Sequence, residues 1–280
     1  MNSDGLKSIV RTVVPRPVRN WLRAPQKSME WLWDSGRFAM GFRNTLKLQP
    51  DWSLVCHPSA YKVAYEAQLK DPAQALEFQN FLSNCKPGMT LFDLGAHFGI
   101  FSLAAAHFEG RSIAVDPSPE AIGMINIQAK LNSCAHRIRT IRAAASDSAE
   151  GIDMLAAGVL SDHYFVVSPG RSRGELTHLE TITVDGMTQA FGMPTHIKID
   201  VEGHETAVLR GARTTLKGSM SILFVEIHNE IVASGGGDPN AALNELAGMG
   251  YAIFGLDGEP ASKEVIFRSA ITRIVAKSAG

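Results

Sequence analysis

The chain has few cysteines, no long apolar run and almost no net charge. Its three cysteines are widely spaced and form no C-x-x-C pair, which argues against a disulfide framework and against structural zinc. No apolar run reaches the roughly 20 residues of a membrane-spanning helix, and the first residues lack the apolar core of a secretory signal. A net charge of −1 gives no overall indication of a nucleic-acid partner. These absences predict a cytoplasmic protein, and 280 residues suffice for one large core with a modest appendage.

The charge is distributed unevenly along the chain. Residues 1–50 contain nine lysines and arginines against three acids, a net charge of +6, so the remaining 230 residues carry −7. All four tryptophans also lie within the first 52 residues. We therefore expect a basic, Trp-rich extension over residues 1–70 and one main domain over residues 71–280.

Two interpretations of this extension stay open. A basic segment rich in tryptophan is typical of contact with an anionic membrane surface, and it would also suit an anionic or lipid-linked substrate. Alternatively, the extension packs its tryptophans on the main domain. Pro15, Pro17 and Pro25 interrupt any long amphipathic helix, which favours packing.

A strand, a glycine turn and a helix follow one another near residue 95. Thr90–Leu94 is short and apolar, as a buried parallel strand should be. Gly95 and Gly99 follow, and a helix is predicted from Ile100. Glycines allow close backbone approach, and a helix N-terminus offers unpaired N–H groups, so the segment is a candidate ligand cradle. Asp93 at the strand end would repel a diphosphate and favour a cationic ligand.

This acid separates two cofactor classes. The dinucleotide fingerprint G-x-G-x-x-G seats a pyrophosphate, but the pattern here is D-x-G-x-x-x-G and has no glycine triplet. S-adenosylmethionine carries an ammonium and a sulfonium group. The pattern therefore favours S-adenosylmethionine over NAD.

A second strand ends in another acid. The segment Arg111–Pro117 is predicted to be a strand with Asp116 near its tip, followed by a helix through Leu131 with Pro119 at its first position. In doubly wound sheets an acid at this tip binds ribose hydroxyls. The alternative is that Asp116 only caps the following helix. Its position after the first cradle favours ribose.

The rest of the chain alternates between predicted strands and helices, which indicates an α/β sheet covered on both faces. Residues 151–181 are expected to shape the acceptor pocket, with a mobile loop over Ser168–Gly174. The other predicted elements are a helix over Asp71–Leu82, a strand over Arg137–Ala144, an edge strand over Glu180–Asp185, a strand over Thr195–Asp200, a helix over Glu202–Leu216, a strand over Ser221–Ile227, a helix over Asn240–Ala247, and a final antiparallel pair over Tyr251–Phe254 and Ile271–Val275.

A second group of polar residues follows the later strands. Asp200, Glu226 and His228 lie at strand ends that should meet the crevice of Asp93 and Asp116, and His204 lies nearby. For Asp200 an N-cap role in the following helix stays open beside the site role, because both need the same location. Such a cluster suits proton transfer or a metal site, but carboxylates with histidine do not specify a metal without geometry, and we predict none. Glu202 and Glu205 are interpreted as structural acids in a first helical turn, where the helix dipole stabilises them.

Over about residues 85–230 the chain resembles the FkbM-type methyltransferases. The resemblance is carried by Asp93-x-Gly95-Ala96-x-x-Gly99, Asp116-Pro117-x-Pro119, Ala144-Ala145-Ser146-Asp147, Ile197-Lys198-Ile199-Asp200-Val201-Glu202-Gly203-x-Glu205 and Leu223-Phe224-Val225-Glu226. It implies a seven-stranded class I methyltransferase fold, a Rossmann-like doubly wound sheet with an antiparallel last strand, and S-adenosylmethionine as donor. Three positions depart from the family pattern: His97 replaces a frequent Asn, Asp116 a usual Glu, and His204 a common Ala.

The resemblance also implies roles for individual residues. Asp93 and Gly95 would line the methionine end of the cofactor, Asp116 the ribose, and Ala144 to Asp147 the adenine. The cofactor-binding set expected from this is Asp93, Gly95, Ala96, His97, Gly99, Asp116, Pro117, Ala144, Ser146 and Asp147.

The expected function is transfer of a methyl group to a hydroxyl oxygen of a small-molecule, sugar or glycolipid acceptor. Asp200 would act as base or orient the acceptor, aided by Glu226 or His228. The alternatives are an NAD(P)-dependent oxidoreductase and a noncatalytic binding module on the same scaffold, because fold does not guarantee activity.

Overall fold

A seven-stranded sheet forms the centre of the computed structural model, which describes residues 29–156, 164–166, 176–261 and 269–279. Its order is β13–β14–β12–β11–β3–β4–β5, and β14, the last strand of the chain, is antiparallel to both neighbours. The strands are β3 (Thr90–Leu94), β4 (Arg111–Asp116), β5 (Ile138–Arg142), β11 (His196–Ile199), β12 (Ile222–Ile227), β13 (Tyr251–Gly255) and β14 (Thr272–Ser278). The predicted sheet with an antiparallel last strand is confirmed.

Helices cover both faces of this sheet. The helices are α4 (Pro72–Asn84), α5 (Ile100–His107) and α6 (Pro119–Leu131) on one face, and α7 (Val184–Phe191), α8 (Glu205–Arg210), α9 (Arg213–Lys217) and α11 (Asn240–Gly248) on the other. Successive strand residues point to opposite faces, so Leu91 packs in the first apolar core and Phe92 in the second. The doubly wound α/β class predicted from the sequence is confirmed.

A smaller set of elements precedes the sheet. A helix over residues 29–39 (α1) leads to the hairpin β1 (Asn44–Gln49) and β2 (Trp52–Cys56), and then to α2 (Pro58–Ala60), a π-helix (Tyr61–Tyr65) and α3 (Glu66–Lys70). Trp52 is buried and stacks on His107 at 4.2 Å, and Trp31 is half-buried against His57. Trp33 remains exposed. Trp21 and the three prolines lie outside the described residues.

No helix within the described ranges is long and apolar enough to cross a bilayer.

Three predicted elements differ from the structure. The helix predicted over Glu202–Leu216 is two short helices, because Glu202 and Gly203 have φ of 51° and 95° and α8 begins only at Glu205. The helix α8 ends at Arg210, and at the next residue, Gly211, a Cβ would lie 2.3 Å from the Ser146 carbonyl oxygen. The strand predicted over Arg137–Ala144 ends at Arg142.

The third difference is the edge strand predicted over Glu180–Asp185. Only Thr181–Ile182 (β10) is extended, and it pairs in parallel with Ala144–Ala145 (β6), outside the main sheet. Thr183 then caps α7, since its hydroxyl accepts a hydrogen bond from the Gly186 amide. The prediction missed this cap because Thr183 lies in a segment that alternates apolar and polar residues, as a strand does.

Two further short strand pairings lie beyond the main sheet. They join β7 (Ile152–Ala156) to β8 (Tyr164–Val166) and β9 (Leu176–Leu179). The short helix Ala135–Arg137 and α10 (Asn229–Ser234) complete the described elements. The loop predicted over Ser168–Gly174 lies outside the described residues.

Candidate active site

A cavity of about 530 Å³ opens at the carboxyl ends of β3, β4, β11 and β12. Eleven of the thirteen predicted site residues line it: Asp93, Gly95, Ala96, His97, Gly99, Asp116, Pro117, Ala144, Asp200, Glu226 and His228. The lining does not include Ser146 or Asp147. Ser146 is buried, with its hydroxyl 2.9 Å from His204 Nε2, and Asp147 is exposed. The two predicted groups of acids therefore face one space.

The glycine turn is held by its own hydrogen bonds. The amides of Gly95 and Ala96 donate to the Val115 carbonyl at 2.9 and 3.0 Å, and the His97 amide donates to Asp116 at 2.8 Å. These three amides are therefore engaged within the fold, and the donors predicted for a ligand are instead the N–H groups at the N-terminus of α5. Gly95 has φ of +76°, and His97 has φ of 49°, a left-handed conformation that is uncommon for residues with a Cβ.

Asp116 lies at the tip of β4 and is 7% exposed. One carboxylate oxygen accepts from the His97 amide and the other from the Ser118 amide, both at 2.8 Å. Each oxygen keeps a second lone pair for a ligand hydroxyl. Burial raises the pKa of Asp116 to about 6. The helix cap is Ser118, whose hydroxyl accepts from the Ala121 amide, so the capping alternative for Asp116 is wrong.

Asp93 lies beneath the glycine turn and is 1% exposed. Its carboxylate accepts a hydrogen bond from the Ser102 hydroxyl, which also contacts the Ser112 hydroxyl at 2.8 Å. Burial raises the pKa of Asp93 to about 6. A cation in the cavity would favour the ionised form of this carboxyl group. The contact of Ser102 with Asp93 was not predicted, because nothing in the sequence distinguishes this serine from any other residue of a helix.

A buried ion cluster lies on the other side of the cavity, and three of its members, Glu77, Lys198 and Arg273, were not predicted as site residues. The Lys198 ammonium, 2% exposed, is 2.9 Å from a Glu77 carboxylate oxygen and 3.7 Å from Asp200 and from Glu226. Arg273 contacts both oxygens of Glu226 at 2.7 and 3.1 Å. A lysine inside the apolar strand of Ile197 to Ile199 was the available signal, since a buried lysine needs acidic partners.

These contacts shift two pKa values in the cluster. Burial alone would lower the pKa of Lys198, but the charges of Glu77, Asp200 and Glu226 outweigh it and hold the pKa above its usual range. Burial and the Asp200 charge raise the pKa of Glu226 to about 7, against the opposing effect of Lys198.

His228 is paired with a buried glutamate. Its Nδ1 lies 2.8 Å from Glu205, which is 1% exposed and also accepts from the Gly203 amide. Its Nε2 lies 3.4 Å from Glu202 and 3.8 Å from Asp200. Burial lowers the pKa of His228, but the hydrogen bond to Glu205 and the charges of Asp200 and Glu202 raise it to about 9.

The prediction that both glutamates lie in a first helical turn holds for Glu205 and is wrong for Glu202. The N-cap of this helix, α8, is His204, so a capping role for Asp200 is also wrong. Glu202 lies before α8 in a left-handed conformation and lines the cavity, and Glu205 orients His228. Their placement depends on a turn and on a contact between α8 and β12, and neither is visible in the local pattern.

Asp200, Glu226 and His228 bring ligand atoms within 4.8 Å of one another, a spacing that suits a metal ion. The Lys198 ammonium, however, already lies 3.7 Å from both carboxylates, and Arg273 occupies both oxygens of Glu226. Two fixed cations therefore supply the positive charge that a metal would bring. The arrangement can hold a hydroxyl group and accept its proton.

The chain is similar in sequence to methyltransferases. The profile of the methyltransferase FkbM domain matches residues 93–253, more than half of the chain. Ribosomal protein L11 methyltransferase from Desulfitobacterium hafniense is 29% identical over 118 residues, which are 42% of this chain and 36% of that protein. The chain therefore aligns with about a third of the length of this curated relative.

The chain is similar to two solved methyltransferases. A crystal structure of methyltransferase FkbM from Methylobacillus flagellatus has a TM-score of 0.45 and 15% identity, with 68% of this chain and 43% of that chain covered. The T. thermophilus 16S rRNA N2 G1207 methyltransferase, in complex with AdoMet and guanosine, has a TM-score of 0.46 and 11% identity, with 85% and 50% covered. Because both scores lie below 0.5, the fold assignment depends on the sheet order and the domain match.

The predicted cofactor, S-adenosylmethionine, is confirmed by the domain match. The residues present fit it: the cavity is large enough for a small ligand, Asp116 keeps acceptor capacity towards it, and the buried Asp93 carboxyl gains from a nearby cation. The match gives no support to the oxidoreductase alternative.

Proposed function

The chain belongs to the FkbM methyltransferase family, and from this premise we propose that it methylates a hydroxyl oxygen of a small-molecule, sugar or glycolipid acceptor. The observation that carries this proposal is the group formed by Asp200, Glu226 and His228, which lines the same cavity as the glycine turn. A carboxylate beside a charged imidazole suits an acceptor whose proton must be removed.

On the cofactor side, the proposed contacts are made by the carboxylates of Asp116 and Asp93. S-adenosylmethionine, when bound, supplies the activated methyl group. Asp116 would hold the ribose hydroxyls through the lone pairs that its two amide donors leave free. Asp93 would favour the positively charged end of the cofactor. His97 keeps Asp116 in place through its amide.

Among the three acceptor-side residues, Asp200 is the best candidate for the base. Arg273 engages both oxygens of Glu226, whereas the Asp200 side chain is 33% exposed and faces the cavity. With a pKa of about 9, His228 is protonated at neutral pH. It would therefore stabilise the ionised Asp200 through Nε2 rather than act as the base. The Lys198 ammonium, 3.7 Å from Asp200, also stabilises the ionised form of the Asp200 carboxyl group.

The variant Asp200→Asn tests this assignment. It keeps the shape of the side chain but removes the proton acceptor, so turnover should fall roughly 10²- to 10⁴-fold. Affinity for S-adenosylmethionine, measured by calorimetry, should stay within about threefold of the parent. Asp51→Asn, in the exposed turn between β1 and β2, is the matched control. Loss of cofactor binding in Asp200→Asn would instead make Asp200 part of the cofactor site.

The acceptor class is tested by product release. The protein is incubated with S-adenosylmethionine and, in separate arms, with sugars, glycolipids, polyketide alcohols, ribosomal protein L11 and ribosomal RNA, and S-adenosylhomocysteine is measured. Release that requires a hydroxyl compound and disappears when that hydroxyl is blocked supports the proposal. Release only with the protein or RNA arm would overturn it, and the arms are included because similar proteins carry those names.

A further inference from the structure

The exposed apolar side chains of the described residues are concentrated on α1 and the turn after it. Five of the eight large hydrophobic side chains that are strongly exposed lie between residues 29 and 42. We define the α1 face by these residues: Met29, Leu32, Trp33, Met40 and Phe42. Their exposed fractions run from 52% to 69%. An exposed apolar patch of this kind marks an interaction site.

The α1 face is fixed by contacts on the opposite side of the helix. Residues 29, 32, 33 and 40 follow the spacing of one helical stripe. On the other side, Asp34 is 3% exposed and pairs with the Lys62 ammonium at 2.9 Å. Trp31 stacks on His57, and the Phe38 ring lies tilted against the same imidazole at 4.4 Å. These contacts fix the orientation of the helix, so that the α1 face points away from the protein.

Cationic side chains flank this face. The Arg37 guanidinium lies 5.4 Å from the Phe42 ring centroid, and that of Arg43 lies 3.6 Å from the Phe38 ring centroid. The 28 residues before α1 add six lysines and arginines against a single acid, whereas the chain beyond residue 50 carries −7. Aromatic and aliphatic side chains with arginines beside them, in the basic part of an otherwise acidic protein, match the chemistry of an anionic bilayer surface.

We propose that the α1 face docks on an anionic lipid bilayer. A second copy of the chain is a poorer fit, because a symmetric contact would bring two basic segments together. The anchored side of α1 connects to the cavity: Lys62 belongs to the π-helix that ends at Tyr65, which lines the cavity and donates to the Phe98 carbonyl at 2.6 Å. Docking would thus bring lipid-linked acceptors beside the cavity.

Vesicle sedimentation of the full chain tests the proposal without cofactor or acceptor, so its outcome is independent of the proposed reaction. Phosphatidylcholine vesicles with and without phosphatidylglycerol are compared for the parent, for Leu32→Ala/Trp33→Ala, and for Met193→Ala/Met220→Ala. The last pair is the matched control, because both methionines are exposed elsewhere. We expect binding to the anionic vesicles, a loss of about tenfold in apparent affinity in the first variant, and no loss in the control.

Three results would overturn the proposal. Equal pelleting of all three proteins would show that the α1 face does not touch lipid. A melting temperature lowered only in Leu32→Ala/Trp33→Ala, with pelleting unchanged, would show that the face is covered by the chain's own residues. A concentration-dependent dimer that this variant abolishes, again with unchanged pelleting, would assign the face to a second copy.

Discussion

Gly95 packs against the backbone of Asp200 so closely that a Cβ at Gly95 would lie 1.7 Å from the Asp200 carbonyl oxygen. The glycine turn after β3 and the loop after β11 are therefore one assembly. The Asp200 amide completes it by donating to the Leu94 carbonyl at 3.0 Å. The acid proposed as the base and the turn proposed to hold the cofactor are thus positioned by direct contact.

This contact predicts different effects for two glycine substitutions with the same backbone conformation. Gly95 has φ of +76°, and a Cβ added there would clash with the Asp200 backbone. Gly88 has φ of +77°, and a Cβ added there would meet no atom within 4 Å. We expect Gly88→Ala to cost about 1 kcal/mol of unfolding free energy and Gly95→Ala about 3 kcal/mol or more. Urea denaturation of both variants measures the difference. Similar losses would mean that the two loops can separate at little cost.

The ribose assignment predicts a selective effect on cofactor affinity. Asp116→Asn removes the charge and one acceptor oxygen, so binding of S-adenosylmethionine should weaken by about tenfold or more, because hydrogen bonds to charged groups are strong. Calorimetry measures the affinity, and Asp51→Asn again serves as control. Unchanged affinity in Asp116→Asn, with the fold intact by melting temperature, would remove Asp116 from the cofactor site.

The pairing of His228 with Glu205 predicts a pH dependence of stability. The pKa of His228 is raised in the folded state from 6.5 to about 9. The folded state therefore favours the protonated ring, and this stabilisation is fully present below pH 6.5 and is lost as the pH rises through about 9. Glu205→Gln removes the main cause of the raised pKa.

Melting temperatures at pH 6.5 and above pH 9 measure this linkage. The parent should lose more of its melting temperature across this range than Glu205→Gln does, and Glu150→Gln at an exposed site should behave as the parent. Equal losses in the parent and Glu205→Gln would show that Glu205 does not set the protonation of His228.

The ion cluster around Lys198 predicts indifference to divalent cations. Because Lys198 and Arg273 already lie against the carboxylates that would bind a metal, dialysis against EDTA and addition of Mg²⁺ should leave the melting temperature and cofactor affinity unchanged. A melting temperature that rises steadily with Mg²⁺ concentration would show specific binding to the folded protein, and the metal interpretation would then be preferred.

Much of the fold could be predicted because the strands are short, apolar and bounded by strong signals. Thr90–Leu94 matched the observed β3, and the acids at the carboxyl ends of β3, β4, β11 and β12 line one cavity because parallel strand ends share one edge. Two predicted elements were wrong because the local sequence also fits a different structure. Thr183 capped a helix inside an alternating segment, and the positive φ of Glu202 broke a helix that composition alone had favoured.

The missed site residues are those whose role depends on distant contacts. Glu77, Lys198 and Arg273 come from α4, β11 and β14 and meet only in the folded sheet. The expectation that residues 151–181 shape the acceptor pocket stays a prediction, because much of that segment lies outside the described residues. None of the described residues within 151–181 lines the cavity, whereas Gln74, Glu230, Ile231, Ala270 and Ile271 do. Those residues follow no local motif.

A crystal structure of the protein with S-adenosylhomocysteine tests the central claim most directly. We predict that the ribose hydroxyls contact the Asp116 carboxylate, that the amino acid end of the ligand lies beside Asp93, and that Asp200 and His228 face its sulfur atom. Ligand bound outside the cavity, with Asp93 and Asp116 turned away from it, would contradict the account.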